Sequence, residues 1–344
     1  MSALLRVVEL GDRASTAYCA KLLLGLGASV YKVSEESAQA LSGLAASRRS
    51  YLDAGKSSAH PDDLEPGGLD ARIAEADVLL TALDDDDLAV FGVDLDALRR
   101  AHPALVVSRG SALEPAQAGA ALAGDLQAQA LSGMMFLVGE PGREPLRLPG
   151  PQAEYAAGLA LFTGTVFALF GRAAAVATQV STSAVRATAY LDWKSQIFFD
   201  DEGKVLRRGS DSGPLVLRCA DGHVGFYYRP EDWTTVKGFI GDNALEDERF
   251  DTQRGRDEHR ADLQSILETF TGSLGKEAVY HSGQAAGIPV GAVWTTTELL
   301  SDPQYAARDF LRHVDGATMP RLPWSIDGER VTESRAWYPE GASA

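Results

Sequence analysis

Short apolar runs alternate with helix-forming segments through the first third of the chain. Leu5 to Leu10 reads as a strand, and Ser15 or Thr16 can cap a helix that continues to about Leu26 and stops at Gly27. Ala28 to Val33 is a second strand and Arg49 to Leu52 a weaker third. Leu69 to Glu75 is helical, Ala76 to Ala82 a strand, Leu95 to His102 a helix stopped by Pro103, and Ala104 to Ser108 another strand. Strands alternating with helices predict an α/β fold with a parallel sheet covered by helices.

The pattern then changes. Asp125 to Ser132 reads as a short helix ended by Gly133, Pro151 to Ala173 as a long one, and Gln179 to Ile197 as further helix. Polar, glycine-bearing stretches near 200–204 and 207–213 read as a crossover linker. Leu215 to Cys219, the turn Asp221-Gly222 and Val224 to Tyr228 predict a β-hairpin. Helices at about 231–240, 259–271 and 275–286 and a strand at Ile288 to Val293 complete a small α+β unit. The expected organisation is a large Rossmann-like domain at 1–190, a linker at 191–212, a small domain at 213–310, and a return linker and tail at 311–344 that complete the large domain.

The charge balance excludes one class of partner. Lys and Arg number 32 against 48 Asp and Glu, a net charge of −16, which lacks the basic footprint that a phosphate backbone needs. No nucleic-acid partner is therefore expected. A small anion needs only a few basic groups or a helix N-terminus. The two cysteines, Cys19 and Cys219, sit in apolar segments without zinc or disulfide spacing, which suits a reducing, cytoplasmic compartment. The N-terminal residues lack the apolar core of a signal peptide. The longest apolar run, Ala156 to Gly171, is shorter than the ~20 residues of a membrane span and is interrupted by Thr163 and Thr165, so it is expected to be a buried helix.

Few residues stand out for chemistry. The turn Leu10-Gly-Asp-Arg-Ala-Ser lacks the second and third glycines of a dinucleotide fingerprint. Asp84 to Asp87 read as a solvated acidic turn rather than a cation site, and the six histidines are scattered without metal-ligand spacing. No metal site and no tightly bound cofactor are expected. Glu154 is the candidate. It lies in the first turn of the long helix, where the helix dipole favours a carboxylate, and an apolar stretch follows it at once. An ionised carboxylate there suits attack on an acyl thioester, and it equally suits simple dipole stabilisation. Asp125, opening the preceding short helix, is an expected N-cap.

In order along the chain, four blocks resemble the family III CoA-transferases, the CaiB–BaiF family. They are Val8-Glu-Leu-Gly with Ala17 to Val33, Ala76 to Leu80 with Phe91 to Val106, Asp125 to Met135 with Val138-Gly-Glu-Pro, and Gly287 to Val293 with Leu300 to Arg308. The resemblance implies a Rossmann-like large domain and a small α+β domain in an interlocked dimer. It also implies an acyl-CoA:carboxylate CoA-transferase in which a carboxylate takes the acyl group. The matching position holds Glu154, where the family has aspartate, with Asp125 nearby and Tyr155 and Gly158 shaping the helix start. Coenzyme A would enter as a thioester substrate, with Lys32, Arg48, Arg49 and Lys56 as its phosphate contacts, and with a carboxylic acid as second substrate. The family often reads N-R-G-K where this chain has Asp53-Ala-Gly-Lys56, and N-F-R-P-G where it has Thr81-Ala-Leu-Asp-Asp, so basic groups are fewer. The racemases of the family place a histidine where Gly124 stands, which argues against racemase chemistry. A divergent, non-catalytic subunit that partners an active paralogue, or a changed acyl transfer on a CoA-like or carrier-bound substrate, is the alternative, so the assembly is expected as a homodimer or a heteromer.

Overall fold

The computed structural model describes residues 5–34, 43–113, 123–171, 177–208, 214–314 and 317–331. The chain divides into two compact units, Met1–Arg208 with His313–Ala344, and Gly209–Arg312.

The first unit is built on six strands: β1 (Arg6–Leu10), β2 (Ser29–Val33), β3 (Ser57–Ala59), β4 (Val78–Thr81), β5 (Val106–Ser111) and β6 (Thr178–Ser183). They pair in parallel in the order β3-β2-β1-β4-β5-β6. This is the doubly wound order of dinucleotide-binding folds, and the chain reverses direction across the sheet between β1 and β4. Among the described residues ten α-helices accompany these strands: α1 (Ala14–Gly25), α2 (Gly43–Asp53), α3 (Gly68–Ala74), α4 (Asp85–Val90), α5 (Leu95–Ala101), α6 (Asp125–Leu131), α7 (Met134–Leu137), α8 (Gln152–Gly171), α9 (Ala184–Leu191) and α10 (Trp193–Glu202).

Alternate strand residues serve opposite faces of the sheet. Val8, Leu10, Val33, Leu79 and Val107 pack with Ile73 of α3 and Leu88 of α4. Val7, Val30, Val78, Leu80 and Val106 pack with Cys19, Leu23 and Leu24 of α1 and Leu161 of α8. Burial on both faces explains why these strands read as continuous apolar runs. The tail returns to this unit, where Trp324 stacks on Phe162 of α8 with ring centroids 5.8 Å apart.

Four local expectations change. Arg49 to Leu52 is the last part of α2, not a strand, and Arg49 Nε meets Asp53 Oδ2 one helical turn on at 3.2 Å. The edge strand is β3 instead. The stretch from Gln179, expected as helix, opens with β6, whose Thr178, Val180 and Thr182 suit a pleated surface and pair with β5. Helix α10 occupies the first half of the expected 191–212 linker. The apolar run extends into a 20-residue helix, α8, with the length and composition of a membrane span, and about a third of it is buried. Its inner face packs on α1 and the sheet, while Phe167 and Phe170 on the outer face are exposed.

In the second unit β7 (Leu215–Cys219), β8 (Gly222–Phe226) and β9 (Val290–Ala292) form an antiparallel sheet. Leu215, Leu217 and Cys219 alternate inward with Val224 and Phe226. They pack against residues of α11 (Trp233–Ile240), α13 (Arg260–Thr271) and α14 (Lys276–Ala285), with α12 (Gln253–Glu258) lying between α11 and α13 in the chain.

Candidate functional site

In sheets wound this way ligands bind beyond the carboxyl ends of the strands, at the reversal point. Here that place follows Leu10. Gly11 takes a left-handed φ of 93°, and a Cβ there would come within 3.2 Å of the Leu83 side chain that follows β4. The chain then presents Asp12 and Arg13 and enters α1. Neither Ser15 nor Thr16 caps that helix: its N-cap position is Arg13, which supplies no side-chain cap bond.

The cap comes from α8. The Ser15 N–H, an orphan donor in the first turn of α1, donates to Glu154 Oε2 at 3.3 Å. Arg13 completes the grip. Its Nε lies 3.0 Å from Oε1 and 3.2 Å from Oε2, and its Nη2 lies 2.6 Å from Oε1. Glu154 is 5% exposed. Nη2 also donates to Ala123 O at 3.0 Å, which ties the α6 entry to the same guanidinium. The approach of α8 to α1 depends on Gly158, where a Cβ would stand 2.7 Å from Ser15 O.

Asp125 repeats the device one helix earlier. Its Oδ1 accepts the Glu154 N–H at 3.1 Å, so a carboxylate on α6 caps α8 just as a carboxylate on α8 caps α1. The fully buried Gln129 donates to Asp125 Oδ2 at 2.6 Å and accepts the Leu148 N–H at 2.8 Å, which anchors the chain leading into α8. Tyr155 and Tyr18 flank Glu154 in sequence and across the α1–α8 contact, with rings edge to face at 5.1 Å. Burial pushes both phenols above the ordinary tyrosine pKa, and for Tyr155 the Arg48 cation opposes that rise. Arg13, Gln129 and Tyr18 are the residues sequence reasoning missed.

The four expected phosphate contacts separate into two groups. Lys32 and Lys56 are buried. Lys32 Nζ lies 3.0 Å from Asp53 and 3.2 Å from Asp12, and Lys56 Nζ lies 2.7 Å from Glu9, 3.1 Å from Asp53 and 3.0 Å from Ala17 O. Arg49 closes the cluster on Asp12 at 3.2 Å, on Asp53 at 3.2 Å and on Ser34 Oγ at 2.9 Å. Three carboxylates thus face three cations, so the cluster offers no surplus positive charge to a phosphate. Burial opposes charging Lys32, yet Glu9, Asp53 and Asp12 together raise its pKa. Burial likewise opposes ionisation of Asp53, and Lys56 and Lys32 overcome it and lower its pKa. Arg48 differs from the rest: it is exposed and makes no ion pair among the described residues.

The acidic run is accounted for locally. Asp84 caps α4 by accepting the Asp87 N–H at 2.9 Å, and Asp85 pairs with Arg109 at 2.8 Å. Among the described residues no cluster of side chains is arranged to hold a metal ion. A cavity of about 350 Å³ lies between α7 and α10, lined by Phe136, Leu137, Phe199, Val205 and Leu206 among others. None of the Glu154 partners lines it.

Known proteins agree with this architecture. The chain is 28% identical over 323 residues, 85% of its length and 79% of the relative's, to succinyl-CoA:(R)-benzylsuccinate CoA-transferase subunit BbsE of Thauera aromatica. It is 26% identical to succinate–glutarate CoA-transferase of Agrobacterium fabrum, with 92% of this chain and 86% of that protein covered. The crystal structure of a CAIB/BAIF family protein from Brucella suis superposes with a TM-score of 0.84 at 23% identity, over 97% of this chain and 95% of that one. The sequence model of CoA-transferase family III matches residues 3–343, and with a match across both units the chain belongs to that family.

Proposed function

We propose that this chain serves CoA transfer between an acyl-CoA and a carboxylic acid as a subunit whose own Glu154 is structural, the acyl-carrying carboxylate coming from a sister family III chain. One observation carries this reading. A carboxylate has about four lone-pair directions, and three N–H groups point at Glu154: Arg13 Nε, shared between both oxygens, Arg13 Nη2 on Oε1, and the Ser15 amide on Oε2. A nucleophile needs a lone pair directed at the thioester carbon. The Arg13 grip aligns Glu154 with α1 instead. The relative named as a subunit of a benzylsuccinate CoA-transferase is in keeping with a chain that works beside another.

Binding of the CoA phosphates falls to Arg48 in this reading, since Lys32, Lys56 and Arg49 are already engaged with carboxylates. A single exposed arginine gives weak, salt-sensitive binding. Gly124 supplies no imidazole beside Asp125, and Asp125 itself is committed to capping α8, so two-base racemisation has no support.

A second reading keeps Glu154 as the nucleophile. It is favoured by the length of the Oε2 contacts, 3.2 and 3.3 Å, against 2.6 Å at Oε1. A shift of the Arg13 side chain would leave Oε2 with a free lone pair. The two readings separate by trapping. The purified chain is incubated with succinyl-CoA and glutarate, treated with hydroxylamine or borohydride, and the peptide spanning 152–171 is weighed. The structural reading expects no mass change and no CoA transfer by the chain alone. A hydroxylamine- or borohydride-dependent mass on Glu154 overturns it.

A further inference from the structure

The cavity between α7 and α10 takes no part in the Glu154 site. Its volume, about 350 Å³, falls in the range of small-molecule sites. Asp192, Gln196 and Phe199 line it from the start and one face of α10, at spacings of four and three residues. The polar residues come first, and Phe199 stands about 10 Å further along the helix. Phe136 and Leu137 of α7, with Val205 and Leu206 after α10, supply further apolar wall. Asp192 is the unexplained member. It holds the N-cap position of α10, where an aspartate ordinarily accepts a backbone N–H, and its side chain makes no cap bond. Among the described residues its carboxylate enters no hydrogen bond or ion pair. Among them, too, no lysine, arginine or histidine lines the cavity. Arg208 stands 5.8 Å from the Phe136 ring, but its guanidinium is spent on the carbonyls of Phe136, Glu140 and Arg143. Phe136 and Phe199 both keep about half of their surface exposed.

We propose that Asp192, Gln196, Phe136 and Phe199 form a binding site for a small primary amine with an aromatic body. The argument is charge complementarity. An uncompensated carboxylate beside aromatic rings selects an ammonium, which donates charge-assisted hydrogen bonds to the carboxylate and is attracted by the ring faces. The Gln196 side-chain oxygen supplies a second acceptor one helical turn from Asp192. The apolar body of the ligand packs on Phe136, Phe199 and Leu206. Binding is non-covalent. Carboxylates and phosphates are repelled by Asp192, so the site is separate from any that serves acyl-CoA or its acid acceptor. It is also independent of the role of Glu154, none of whose partners lines the cavity.

The test is a titration of the full chain with 2-phenylethylamine, followed by ligand line broadening in NMR. A ligand this small is expected to bind with a Kd of about 0.1–1 mM. 2-Phenylethanol, which has the same body without the charge, is expected to bind about tenfold more weakly, and phenylacetate not at all up to about 10 mM. Asp192→Asn is expected to weaken the amine about tenfold and to leave the alcohol unchanged, a split that a general loss of structure would not give. Because Asp192 makes no cap bond, this variant is expected to melt within about 1 °C of the wild type. Val205→Trp, at an exposed position, fills the cavity and is expected to abolish binding of both ligands. Should Asp192→Asn fail to fold, Asp192→Ser is titrated in its place. Wild-type binding at about 0.5 M sodium chloride is a further readout, expected to weaken the amine and spare the alcohol. Equal affinity for amine and alcohol, amine binding that survives loss of the Asp192 charge or the Val205→Trp filling, or no amine binding at about 10 mM overturns the site.

Discussion

Replacing Arg13 by alanine strips three contacts of 3.2 Å or less from a carboxylate that is 5% exposed, and leaves it the Ser15 amide alone. Removing one partner of a fully buried ion pair costs ~3–5 kcal/mol. The Arg13 side chain is 21% exposed, so water can enter the vacated volume. The expected cost is therefore lower, ~2–4 kcal/mol. Glu154→Gln keeps the volume and one acceptor and leaves a guanidinium that water reaches, so its cost is ~1–2 kcal/mol. If the pair acts as a unit, the double variant Arg13→Ala/Glu154→Gln costs less than the sum of the two, with a coupling of ~1–3 kcal/mol. Denaturant unfolding gives the energies. Hydrogen exchange of the α1 and α8 amides separates the first unit from the second. Additivity of the two substitutions to within ~0.5 kcal/mol would refute the idea that Arg13 and Glu154 form one element.

Gly158→Ala places a methyl group 2.7 Å from Ser15 O, a backbone atom that cannot rotate away. It is expected to cost ~1–3 kcal/mol, and to raise hydrogen exchange at the α1 N-terminus, where the same substitution on an open helix face would stabilise. The Asp53–Lys32–Lys56 cluster predicts a pH window. The lowered pKa of Asp53 gives stability that is present above its unfolded value, near 4, and is lost as pH falls through the folded value. The raised pKa of Lys32 gives stability that is present below its unfolded value, near 10.4, and is lost as pH rises through the folded value. Protection of the β1 and β2 amides is thus expected to be flat between about pH 5 and 9 and to decline beyond either end. For Asp53→Asn the acid limb should become shallower.

The alternation of strands and helices was legible because each element carries its own period. The strand pairs β1–β2 and β4–β5 come from runs whose burial on both faces leaves little ambiguity. The failures are local patterns overruled from a distance. Thr178 to Ser183 has no apolar alternation to announce it, and only the edge of β5 makes it a strand. Glu154 and Asp125 could be found because first-turn carboxylates have a known use at helix ends. Arg13 could not, because its partner lies 141 residues away and its turn carries no motif that announces a carboxylate. Lys32 and Lys56 show the limit from the other side. Their charge was visible, but the pairing that sets Lys32 beside Glu9 on neighbouring strands, and brings Asp53 to both lysines, belongs to the folded sheet.

The strand order of this sheet sets a helix N-terminus at the reversal point, and dinucleotide-binding proteins fill that place with a pyrophosphate. This chain fills it with Glu154, and the length of the side chain decides whether that is possible. An aspartate at 154 would withdraw the carboxylate by about 1.5 Å, one carbon–carbon bond. Contacts of 2.6 to 3.2 Å with Arg13 would stretch beyond hydrogen-bond range unless the helices moved. The Gly158 contact with Ser15 O leaves no room for α8 to move closer. The extra methylene is therefore what joins the carboxylate to Arg13, and shortening it frees lone pairs that the glutamate commits. Glu154→Asp is expected to lose ~1–2 kcal/mol of stability and to become the variant that acquires an acyl mass from succinyl-CoA, where the wild type acquires none. Equal labelling of the two would mean that Arg13 does not restrain the glutamate. If the aspartate stayed unlabelled with succinyl-CoA demonstrably bound, side-chain length would not be what separates this chain from an acyl-carrying one.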